Sequence, residues 1–113
     1  MFSEVPASIW KPNDVTTEPH TRLTQWQVFN VKGEPGGDDT IHFVGCALYE
    51  GRVSSPVLTY DKTTCRGITA SGRIYELVSL PGYNSDAMHV WAAWLSLMDN
   101  PDAILVTDQY TNG

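Results

Sequence analysis

The chain has 113 residues, enough for one domain with a core that needs no disulfide or metal staple. Hydrophobic residues make up 42% and charged residues 18%, which excludes a disordered chain. The formal net charge of −6 is the wrong sign for coating nucleic acid, and no apolar run reaches the length of a membrane span.

Residues 1–20 contain Pro6, Pro12 and Pro19 with Asn13 and Asp14. Three prolines at that spacing exclude a regular helix or a central strand, so an extended arm is expected there, ahead of a single domain over 21–113. Phe2, Ile9 and Trp10 give the arm large apolar groups that dock on its own domain or reach a neighbouring subunit. The opening residues have no basic start and no apolar h-region. A cytoplasmic protein with Cys46 and Cys65 reduced is therefore expected.

Trp26, Val28, Phe29 and Val31 predict a first strand over 21–32, followed by a glycine-rich turn over 33–39. Residues 40–49 form the second strand, and Glu50-Gly51 is the expected turn after it. A third strand over 53–60 is interrupted at Ser54-Ser55-Pro56, which places it at an edge or at a bulge. Short strands follow over 65–69 and 73–79, joined by a tight turn at Ala70-Ser71-Gly72. In the second of them Arg73, Tyr75 and Leu77 alternate against Ile74, Glu76 and Val78. Asn84 or Ser85 then caps a helix whose Ala87, Val90, Trp91, Trp94, Leu95 and Met98 repeat at helical spacing. Asn100-Pro101 stops it, and Ile104-Leu105-Val106 returns as a last strand. The expected fold class is α+β: an antiparallel β-meander sheet of five or six strands with one helix packed across one face.

Few residues carry a chemical pattern. His42 and Cys46 lie about 13 Å apart at strand rise, too far to share a metal unless the strand bends at Gly45, Cys65 could approach one of them from across the sheet, and no close pair of ligands advertises a zinc site. Ser54, Ser55 and Cys65 lack a nucleophile elbow and have no histidine–carboxylate relay in the sequence around them. Asp38-Asp39 read as solvated turn carboxylates. Gly36-Gly37 lacks the Lys-Ser/Thr and the helix start of a phosphate loop. No metal, no cofactor and no catalytic residue is expected.

The positive pattern is an echo. Gly51-Arg52-Val53 and Gly72-Arg73-Ile74 each open an apolar run, with Arg66 between them. If both glycines are turn residues, Arg52 and Arg73 project from one rim of the sheet. With Ser54 and Tyr75 nearby they would line a pocket for a small anionic ligand, because guanidinium groups bind carboxylate and phosphate bidentately. The competing assignment pairs the arginines with Glu50, Asp61 or Glu76 on their own sheet. Trp10 and Trp26 beside arginines have the composition of an interface centre, so a homodimer is expected.

Gly51-Arg52-Val53-Ser54-Ser55-Pro56, then Ser71-Gly72-Arg73-Ile74-Tyr75-Glu76-Leu77, then Pro81-Gly82 with Trp91 and Trp94, resembles small uncharacterised proteins of bacterial mobile elements: integron gene cassettes, plasmids and phages. The resemblance covers residues 21 to about 98. It implies a bacterial cytoplasmic accessory protein and carries no residue role with it. The leading expectation is a non-enzymatic binding or protein-interaction accessory protein, homodimeric through an arginine and aromatic sheet surface, with no nucleic-acid or membrane partner. The second is a small enzyme or anionic-ligand sensor with a pocket lined by Arg52, Arg73, Ser54 and Tyr75.

Overall fold

The computed structural model describes residues 20–33 and 37–111. The expected arm over 1–20, apart from His20, lies outside the described residues, and so does Trp10.

The sheet is organised by one long, broken strand. β1 (His20–Val31) pairs antiparallel with β2 (Thr40–Ala47), but the register slips between Thr24 and Gln27, where Gln25 takes φ 47°. An irregularity of this kind bends a strand and lets its halves face different neighbours. The first half of β1 runs parallel to β6 (Ile74–Leu77), with Thr21 opposite Tyr75. The second half runs antiparallel to β7 (Ala103–Leu105), with Phe29 opposite Leu105. Where the first strand was expected, a strand is found. Its double allegiance was not expected.

The full order is β3 (Glu50–Val53), β2, β1, β6, β5 (Arg66–Thr69), β4 (Val57–Asp61), with β7 beside the second half of β1. Among the described residues this is a mixed sheet of seven strands, and not a pure antiparallel meander. The single third strand predicted over 53–60 is two strands, parted at Ser54-Ser55-Pro56. That break carries the chain from one end of the sheet to the other. β4, β5 and β6 then walk back by antiparallel pairing and arrive parallel to β1.

The sheet curls, so its two ends approach. Phe43 of β2 meets Tyr60 of β4 at 5.9 Å between centroids, Tyr75 of β6 at 6.1 Å and Tyr110 at 6.2 Å. Tyr110 belongs to a short 3-10 helix, Thr107–Tyr110. These edge-on rings close over an inner core with Leu23, Trp26, Val28, Ala47 and Leu77. The second face of the sheet is thus covered by the chain's own strands.

The other face carries α1 (Ser85–Leu97). Asn84 caps it by accepting the Ala87 N–H at 2.8 Å, and Asp86 sits in the positively polarised first turn. Ala87, Val90, Trp91 and Trp94 pack on Val31, Val44 and Val53, as the helical spacing predicts. Phe29 stacks on Trp91 at 4.7 Å and Trp91 on Trp94 at 5.2 Å. Asp99 and Asn100 take positive φ before Pro101, which ends the helix.

Two turns depart from expectation. The β2–β3 hairpin turns at Leu48-Tyr49, with φ 49° and 72°, and not at Glu50-Gly51. Left-handed backbone costs a non-glycine residue on the order of 1–2 kcal/mol, and both side chains point to solvent. Gly51 has an ordinary φ and lies within β3, where a Cβ would sit 2.6 Å from Asp86 O and 2.7 Å from Ala87 Cα. It is glycine because α1 rests on it. Gly72, at φ 90°, is a turn glycine as predicted.

Candidate functional site

Strand register decides where the arginines point. Arg52 lies opposite Gly45, on the face shared with Phe43 and Ala47, so it points inward. Arg73 precedes Tyr75 and Leu77 by two and four residues and takes the same inner face. Arg52 is 3% exposed and Arg73 1%. The rim position expected from the glycine echo is therefore wrong for both. Their guanidinium groups converge inside the domain: Arg52 Nη1 and Arg73 Nη1 each donate to Thr21 Oγ1 at 3.4 Å. Thr21 is the first inward residue of β1 and stands opposite Tyr75, itself fully buried.

Two of the described carboxylates, Glu76 and Asp39, form ion pairs away from this cluster. Arg22 and Arg66 share Glu76 on the outer face, at 3.7 and 3.8 Å, and Lys32 meets Asp39 at 3.6 Å. Asp39 is held below the usual carboxylate range by the Gly33 N–H and the Asn30 amide, so it closes the β1–β2 loop. Arg52 makes no ion pair with a described carboxylate, and its Nε has no hydrogen-bond partner. A buried guanidinium with an open N–H is costly unless an anion completes it.

A chain of hydroxyls ends on the Arg73 backbone. Ser55 donates to Ser71 at 3.3 Å, Thr69 and Ser71 are 3.1 Å apart, and Thr69 donates to the Arg73 carbonyl at 3.2 Å. Ser54 is used differently. Its hydroxyl accepts the Phe43 N–H at 2.9 Å and donates to the Ser55 carbonyl at 2.8 Å, so it replaces ladder bonds at the strand break and does not face the arginines. Of the four residues predicted to bind a ligand, Arg52, Arg73 and Tyr75 come together around Thr21, while Ser54 is diverted to the backbone. Thr21 had no signal in the sequence, because its partners arrive from β3 and β6. Trp26, expected at an interface, is 3% exposed in its own inner core and donates its ring N–H to Val78 O at 3.2 Å. A ring buried by its own chain leaves no surface for a second subunit.

Two surface clefts flank the β2–β3 tip. One of about 380 Å³ is lined by Thr21, Arg22, Ala47, Leu48, Arg66 and Ile74 among others. Thr21 thus belongs both to this cleft and to the buried arginine pair, although neither Arg52 nor Arg73 lines the cleft. The other, of about 280 Å³, is lined by Tyr49, Glu50, Gly51, Asp86 and His89.

His42 is buried beside α1, 4.7 Å from the Trp94 ring. Its Nδ1 donates to Ser54 O at 2.8 Å, which leaves Nε2 to accept from the Thr40 hydroxyl at 2.8 Å. The contact to Ser54 is through the carbonyl, so no serine–histidine dyad forms. Burial pushes the imidazole below its usual 6.5, against the smaller opposing effect of the Ser54 bond. A lowered folded value means that the unfolded chain takes the proton first. Stability is then full above pH 6.5 and falls as pH drops through it, by at most about 1.4 kcal/mol per pH unit. Denaturant unfolding between pH 7.5 and 5 should show this slope, and His42→Phe should remove it. An unchanged slope in the variant would assign the loss to other groups.

Among the described residues no group of three or more His, Cys, Asp or Glu side chains is placed to hold a metal, and no helix is long and apolar enough to cross a membrane. No disulfide joins Cys46 and Cys65. No family model matches the sequence, and comparison with curated proteins and with solved structures found no significant similarity.

Proposed function

We propose that the chain is a non-enzymatic accessory protein that binds a small molecule or a partner group through one anionic moiety, a carboxylate or phosphate, seated at Arg52, Thr21 and Arg73. The observation that carries this reading is the open Nε of Arg52, 97% removed from solvent, in a guanidinium that shares its hydroxyl acceptor with a second one. An anion seated there meets the open N–H of Arg52. Tyr75 walls the seat, and the Ser55–Ser71–Thr69 hydroxyls fix the Arg73 backbone.

A non-enzymatic role is favoured because the Ser54–His42 pairing that the strand break brings together is diverted. The Ser54 hydroxyl is held by backbone groups, His42 faces a carbonyl, and His89 is exposed on α1.

The test is thermal unfolding of the full chain with inorganic phosphate, sulfate and acetate titrated separately at constant ionic strength. A saturable rise is expected with at least one of them. At a concentration about a hundred times Kd it amounts to about 2.7 kcal/mol. The rise should be absent in Arg52→Met and kept in Arg66→Gln, whose side chain lies on the outer face. No saturable rise with any of the three, or an equal rise in Arg52→Met, would sink the proposal.

A further inference from the structure

We infer that the β2–β3 tip is a self-association element, in which Tyr49 of one copy seats in the 380 Å³ cleft of a second copy. Leu48 is 84% exposed and Tyr49 94%, the two consecutive residues of the turn. Both hold left-handed backbone, at φ 49° and 72°, where a two-residue hairpin turn ordinarily uses Asn-Gly. Two large apolar side chains in solvent, on backbone that suits neither, serve the isolated domain in no way.

The surface next to the tip supplies the matching hole. Leu48 itself lines the cleft, with Ala47, Ile74, Arg22 and Arg66. Ile74 lies opposite Ile68 in the β5–β6 register, so an apolar strip runs from the tip across the outer face, and Ile68 is 46% exposed. The guanidinium groups of Arg22 and Arg66 at the cleft offer a cation to an incoming tyrosine ring. Knob and hole are adjacent in one patch, which is the arrangement a two-fold pair needs, since each copy then gives one of each and the assembly closes at two.

Charge identifies the occupant as a second copy. One side of the tip is acidic, with Glu50 and Asp86 lining the smaller cleft. The other side carries Arg22 and Arg66 with the Glu76 they share, two cations against one carboxylate. A two-fold axis through the tip sets the acidic flank of one copy against the basic flank of the other. A basic partner would meet only one flank and an acidic one only the other.

Light scattering and sedimentation of the full chain over a micromolar to millimolar range test this. A reversible monomer–dimer equilibrium is expected. Leu48→Asn/Tyr49→Gly suits both left-handed positions, so it should fold with an unfolding temperature no lower than wild type in dilute solution while weakening association at least about tenfold. Glu50→Arg and Arg66→Glu should each weaken association at least about tenfold, and the two together should restore it, because each copy then presents the reversed pair. A strict monomer at the highest concentration, a dimer unchanged by the tip variant, or a charge swap that fails to restore association each overturns the inference. Should the tip variant lose its fold, the charge swap alone decides.

Discussion

Arg52→Met is expected to raise the stability of the anion-free protein by about 1–2 kcal/mol and to abolish its response to anions. Both halves follow from one geometry. Arg52 brings a charge that is 97% removed from solvent, with one hydrogen bond of 3.4 Å among the described residues and an open Nε. Replacing a poorly compensated buried ion by an apolar side chain of similar length removes the desolvation cost and keeps the volume filled. Methionine is the choice because it is unbranched and adapts to the space the arginine stem occupied. Arg52→Ala should do the opposite. It leaves a hole beside Gly45 and loses about 2–4 kcal/mol. Denaturant unfolding of the three proteins in a buffer of uncharged components separates these terms. A clear loss in Arg52→Met would mean that the guanidinium is already compensated in the free protein, and the seat for an external anion would have to be abandoned.

The arginines also show what strand sequences do and do not disclose. The alternation Arg73, Tyr75, Leu77 against Ile74, Glu76, Val78 already placed Arg73 on the same side as two core residues. Inner burial was legible there, and the rim assignment gave too much weight to the glycine beside it. For Arg52 no such pattern existed. β3 is four residues long, and its inner row is set by pairing with Gly45, a contact between strands. Thr21 was silent for the same reason, since its importance comes from β3 and β6 arriving beside it. The helix, its cap and its buried face were readable, because they depend on residues three or four apart and on one local hydrogen bond. The mixed sheet was not. Parallel pairing of β6 with β1 depends on the chain crossing the whole sheet at Ser54-Ser55-Pro56, and proline chemistry there announces a break without a destination.

The two glycines of the echo should respond to alanine by different amounts. Gly51→Ala is expected to cost about 3 kcal/mol, and Gly72→Ala about 1–2. At Gly51 the backbone angle tolerates any residue, so the cost is spatial. The new methyl would sit 2.6 Å from Asp86 O and 2.7 Å from both Ala87 Cα and Ala87 N. These are backbone atoms in the first turn of α1, and no rotamer change relieves them. The helix must lift at its capped end, which loosens Ala87, Val90 and Trp91 against Val44 and Val53 and disturbs the Trp91–Trp94 stack. At Gly72 the cost is one residue held at φ 90° in a turn closed by the Gly72 N–H to Thr69 O at 2.9 Å. That strain stays local, because the turn is exposed on its outer side. Near-ultraviolet circular dichroism should therefore change in Gly51→Ala, where the tryptophan stack moves, and stay close to wild type in Gly72→Ala. Denaturant midpoints give the two free energies. Equal losses with no change in the tryptophan signal would mean that Gly51 is a turn glycine after all, and that α1 does not rest on β3 through it.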